Sequence, residues 1–164
     1  MMKNGKLERI RVLRTERMLT VLGVPNVPGT AAEIFSALAD ARIPITMIVQ
    51  NAPDTGSAGI TFTIRHEDAD KALAITRDIA TRLGAEGLMD DSEIARVTVG
   101  GSVMENVVGI AGGFFTVLAD GGINVLAINT TADQVSCIIE DKASKQAVDL
   151  LCEKYGLSVE SVTD

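Results

Sequence analysis

The chain is written twice. The stretch ALADARIPI (37–45) lies over VLADGGINV (117–125), with Phe35 over Phe115 and Gly29 over Gly109, all at one offset of 80 residues. Further along, ITFTI (60–64) lies over VSCII (135–139) and Ala72 over Ala147 at an offset of 75, so the second copy is five residues shorter between its middle strands. Self-similarity of this length means two copies of one supersecondary unit. With 164 residues, 46% of them hydrophobic, there is enough apolar material for each copy to build a core.

The period of the apolar residues gives the elements of the unit. MLTVLGV, ITMIVQN and AGITFTIR are short and β-branched, and Ile60, Phe62 and Ile64 alternate with Thr61 and Thr63 as in a half-buried strand. Ala31, Ile34, Phe35, Leu38 and Ala41 recur at helical steps between the first two strands, and Ala72, Ile75, Ile79 and Leu83 do so after the third. EGLMDD (86–91) supplies a last short strand. The second copy reads RVTVGG, a helix near 110–121, NVLAINT, QVSCIIE, a helix near 143–155 with Ala143, Ala147, Leu150 and Leu151 inward, and LSVESV. The expected class is α+β: two tandem ferredoxin-like βαββαβ domains, each an antiparallel sheet with both helices on one face. The expected boundaries are 17–92 and 93–164, preceded by a segment, 1–16, whose LERIRV forms either an extra edge strand or a flexible arm.

Composition excludes several functions. A net charge of -7, no Trp and a single Tyr argue against a nucleic-acid partner. His66 is the sole histidine and follows a strand, so no nucleophile, base and orienting partner can be assembled. The glycine pairs at 100–101, 112–113 and 121–122 lack the lysine of a phosphate loop and the frame of a dinucleotide-binding turn, and no cofactor is expected. Asp90 and Asp91 read as a turn between the copies, without a third oxygen ligand for a metal. Cys137 and Cys152 read as reduced, buried thiols. The basic start MMKNGKLERIRVLRTER has no apolar secretory core, and no later run approaches a membrane span, so a cytoplasmic protein without a membrane partner is expected.

One motif carries chemistry, the corner NVPGTAAE. Asn26 can close a turn on its own backbone, Pro28 fixes a dihedral, Gly29 permits close approach and Thr30 can cap the helix that follows. The free N–H groups of such a helix start attract an anion, a carboxylate for example, by about 0.3–1 kcal/mol. The alternative is a well-made strand-to-helix turn with no ligand.

The string VLGVPNVPGTAAEIFSALADARIPITMIVQN, extended by GAEGLMDDSEIARVTVGG and VLADGGINVLAIN, resembles the regulatory half of aspartate kinase, whose tandem ACT domains bind lysine or threonine as feedback inhibitors. The similarity runs from about Leu7 to Leu157; no KFGGTS-like opening of the kinase catalytic domain occurs. The resemblance implies a non-catalytic regulatory part, either a separate subunit or the C-terminal part of a longer kinase, with a catalytic aspartate kinase as partner. It also implies an amino-acid effector held by Asn26, Val27, Pro28, Gly29, Thr30 and Ala31, opposed by Ile45, Thr46, Met47 and Gln50. The other copy would contribute Asn124 and Val125, and its hydroxyls at Thr130 and Thr131. Three places depart from the family pattern: Asn26 stands where Asp is usual, Val107 and Val108 replace a histidine-proline corner, and NTTA (129–132) replaces STSE. The first copy is therefore expected to keep the ligand corner, and the second to pair with a neighbour in a homodimer. Loss of the pocket in an assembly protein of the same fold is the alternative.

Overall fold

The computed structural model describes residues 7–53, 56–101 and 109–157. Its elements are β1 (Arg9–Leu13), β2 (Glu16–Pro25), α1 (Thr30–Asp40), β3 (Met47–Asn51), β4 (Ser57–Arg65), α2 (Ala69–Leu83) and β5 (Gly87–Asp91), then β6 (Ile94–Gly100), α3 (Ile110–Asp120), β7 (Ala127–Thr130), β8 (Gln134–Glu140) and α4 (Ser144–Tyr155). They divide into two units. The contiguous unit is Glu16–Ser92; the split unit joins Met1–Thr15 to Glu93–Asp164. Both are the expected α+β arrangement, and each sheet is antiparallel.

The contiguous unit has strand order β3-β4-β2-β5. Leu19 and Val21 of β2 and Ile60, Phe62 and Ile64 of β4 point to the helical face, where Ile34 and Leu38 of α1 and Ala72 and Ile79 of α2 meet them. Phe35 stands edge-on to Phe62 with centroids 5.5 Å apart, a favoured aromatic geometry. Two expectations need correction. Thr63 is not half-buried but has no exposure, because its hydroxyl pairs with that of Thr46 at 2.8 Å and so needs no water. Asp90 and Asp91 form no turn: both lie in β5, and Arg17 of β2 donates to Asp90 from Nε and Nη2, the latter at 2.6 Å. That bond to Asp90 raises the Arg17 pKa above its ordinary value.

In the split unit the order is β1-β6-β8-β7. Here β1 holds the edge place that β5 holds in the first copy, with Ile10 opposite Val99 and Val12 opposite Val97. Ile10 and Val12 join a core made with Phe114, Leu118, Ala147 and Leu151. Of the strand expected at LSVESV (157–162), only Leu157 is described, packed partly against this core, and the rest lies outside the described residues. Cys137 is fully buried in this core, and burial pushes its thiol up to about 12. The repeat extends to small devices: Lys71 Nζ of α2 donates to the Ala41 carbonyl at 2.8 Å, and Gln146 Nε2 of α4 donates to the Gly121 carbonyl at 2.9 Å. In both units the second helix satisfies a carbonyl at the end of the first.

Candidate functional site

The corner begins where β2 runs out at Pro25. The Asn26 N–H donates to the Gly56 carbonyl at 3.0 Å, which pins the turn to the loop between β3 and β4. The Thr30 N–H closes the turn on the Val27 carbonyl at 3.3 Å, and the Glu33 N–H begins the helix on the Gly29 carbonyl at 2.9 Å. Gly29 is the N-cap, with φ 102° and ψ -24°. That left-handed conformation is the reason for glycine here; the space around its missing Cβ is open, so close approach within the unit is not.

Thr30 does not cap the helix. It is the first helical residue, is buried, and its hydroxyl donates backward to the Pro25 carbonyl at 2.8 Å. Helix α1 consequently starts with no side-chain acceptor over its first turn. Helix geometry leaves the N–H groups of Ala31 and Ala32 without an intrahelical acceptor. Asn26, Val27, Pro28 and Gly29 are exposed beside them, while Ala31 packs partly on the core.

The register of β4 sorts the opposing residues. Pro25 lies opposite Ser57 on one side of β4, and Gln50 and Asn51 lie opposite Ile60 and Gly59 on the other. Gln50, which is exposed, lies three residues along from Ser57, about 10 Å from the corner at ~3.4 Å per residue. Met47 lies opposite Thr63, six residues along from Ser57 and so about 20 Å from the corner at ~3.4 Å per residue. Within this unit Ile45, Thr46 and Met47 do not join the corner: Ile45 packs on the core, the Thr46 hydroxyl is engaged by Thr63, and Met47 is buried.

The remaining predicted residues belong to the split unit. Asn124 is exposed and Val125 packs partly on that unit's core. Thr130 ends β7, and its hydroxyl makes a long contact of 3.4 Å to the Thr131 carbonyl. Thr131 donates its hydroxyl to Asp133 at 2.6 Å, and that bond holds the Asp133 carboxyl below its ordinary range. Val107 and Val108 lie outside the described residues. Gly109 still caps α3 as Gly29 caps α1, with φ 98° and the Gly113 N–H on its carbonyl at 2.8 Å. Gly56 was missed from the sequence; the turn-forming run NAPDTG was its signal.

Comparison with known proteins places these units. The sequence model of the ACT domain family matches residues 19–78 and again 97–155, once in each copy. The chain belongs to the ACT domain family. Its ACT domains are 36% identical over 144 residues to an aspartate kinase of Stutzerimonas stutzeri, covering 88% of this chain and 35% of that protein. Among solved structures, a chain of the aspartokinase alpha and beta subunits superposes with a TM-score of 0.86 at 32% identity, covering 92% of this chain and 99% of the other. The aspartate kinase from Synechocystis superposes with a TM-score of 0.90 at 27% identity over 98% of this chain and 28% of its own. The two ACT domains are thus those of an aspartate kinase regulatory region, and the chain spans about a third of the length of the curated kinases it matches. Among the described residues no three His, Cys, Asp or Glu side chains are grouped to hold a metal, and no helix is long and apolar enough to cross a membrane.

Proposed function

We propose that the chain is a non-catalytic allosteric module that binds lysine or threonine at the Asn26–Ala31 corner and so controls an aspartate kinase catalytic partner. The observation that carries this reading is the start of α1. Its cap is a glycine, no side chain accepts from its first turn, and Asn26, Val27, Pro28 and Gly29 beside it are exposed. Such a start suits the carboxylate of an amino acid, and the Asn26 amide beside it suits its ammonium.

The same reading includes a homodimer. Strands β3 and β7 are edges of their sheets and expose Ile48 and Ile128 at matching places in the repeat. A second copy would pair those edges and cover those side chains. An effector lodged where two ACT domains meet then favours one arrangement of the pair, and the catalytic partner responds by its differential affinity for the two arrangements.

A thermal-shift panel of the twenty amino acids tests the reading. Lysine or threonine at a hundred times its dissociation constant adds about 2.7 kcal/mol to stability and raises the melting temperature. Identical melting curves across the panel, with the dimer intact, would instead support an assembly protein of the same fold with no working pocket.

A further inference from the structure

Between α3 and α4 of the split unit lies a cavity of about 470 Å³. Gly113, Val117 and Leu150 form its apolar side, and Asp120, Glu153 and Lys154 stand around it. The repeat supplies an internal standard for this place. In the contiguous unit Glu33 stands where α3 has Gly113, Asp78 where α4 has Glu153, and Arg82 where the chain beyond α4 has Leu157. Arg82 lies across that helix pair, with Nη1 3.0 Å from Glu33 and Nε 3.2 Å from Asp78. A guanidinium therefore bridges the two helices and neutralises the acid on the second.

In the split unit the guanidinium and the bulk of Glu33 are both gone, and the acid remains. None of Asp120, Glu153 and Lys154 has a hydrogen-bond or ion-pair partner among the described residues. Tyr155, where the other unit has Ala80, takes part of the room left by Glu33, since a Cβ at Gly113 would stand 2.9 Å from its hydroxyl, and the cavity is what remains beside Thr116, Val117 and Leu150. Two unpaired carboxylates, one unpaired ammonium and an aliphatic wall complement a ligand with a cationic group on an aliphatic stem and a carboxylate.

We propose that the α3–α4 cavity binds a free basic amino acid, its side-chain cation on Glu153, whose counterpart Asp78 holds Arg82 in the other unit. The methylenes lie on Val117 and Leu150, and the carboxylate meets Lys154. The volume lies within the usual range for small-molecule sites, roughly 300–1,000 Å³. An arginine side chain of another protein brings the same cation but no free carboxylate, which leaves Lys154 without a partner. This site lies wholly in the split unit and does not depend on the corner of the contiguous unit.

The test is a titration of the methyl-labelled chain with L-arginine, followed by NMR. Saturable shifts are expected at the Val117 and Leu150 methyls, while Ile34 of α1 reports separately on the corner. L-citrulline, the neutral isostere, leaves Val117 and Leu150 unmoved. Glu153→Gln, a change at an exposed position, weakens arginine by at least about tenfold, the worth of one charged hydrogen bond. Nα-acetyl-arginine amide binds more weakly than arginine, and Lys154→Gln abolishes that preference. Unmoved Val117 and Leu150 methyls, equal shifts with citrulline, or full affinity in Glu153→Gln would overturn the site. Blocked arginine binding as tightly as the free amino acid would overturn the free amino acid as its ligand.

Discussion

The two ACT domains close their sheets differently. The contiguous unit finishes with its own β5, which pairs with β2 and is tied to it through Arg17 and Asp90. The split unit has its fourth place filled by β1, and the whole contiguous unit lies between β1 and its partner β6 in the chain. One unit can complete itself from neighbouring sequence. The other waits for a pairing of large sequence separation, whose loop-closure cost is met only when β1 docks. Near-identical folds can therefore differ in how their last strand is supplied.

Breaking that last strand has the largest expected effect. Val12 is 1% exposed, and Val12→Asp places a carboxylate in the split unit's core at a cost of at least about 3 kcal/mol. Native-state hydrogen exchange is expected to lose protection at β6 and β8 while β2 and β4 keep theirs. Equal loss in both units would show that the two do not open separately.

The matching cut in the contiguous unit is milder. Arg17→Ala removes the donors to Asp90 at a site about a quarter exposed, for an expected cost of about 1.5–2 kcal/mol read from urea unfolding. A cost as large as that of Val12→Asp would mean that β5 depends on its ion pair more than on its backbone ladder.

The cores also differ where β4 has Phe62 and β8 has Cys137, which occupy matching places. Burial raises the folded-state thiol from an ordinary 9.0 to about 12. Its contribution is complete below pH 9; above that the unfolded chain loses its proton first, and the contribution disappears as the pH climbs toward 12. About 1.4 kcal/mol is lost at pH 10, and Cys137→Ala is expected to flatten that fall in stability measured against pH. An unchanged slope would mean the thiol is not the titrating group.

Much of the fold was legible because its signals are local. The steps at Ile34 and Leu38, and at Ala72 and Ile79, mark amphipathic helices whatever lies around them. The partner of β1 was not legible, since the alternation in LERIRV identifies a strand without naming the strand it will meet. Thr63 and Asp90 were misread for a related reason: each is polar by composition, and each is satisfied by a side chain distant in sequence, Thr46 and Arg17 respectively. At the corner, Gly29 was legible from its type, but Thr30 was read as a cap when its hydroxyl had a closer acceptor in Pro25. The placing of Gln50 about 10 Å, and of Met47 about 20 Å, along the sheet from the corner needed the register of β4, which no local pattern encodes.

The most direct measurement follows the backbone amides of Gly29, Ala31 and Ala32 in the labelled chain while lysine or threonine is added. If the start of α1 receives the effector's carboxylate, these amides shift together and saturably, ahead of any other group in the contiguous unit. No shift at any of the three with any of the twenty amino acids would contradict an effector site at this corner.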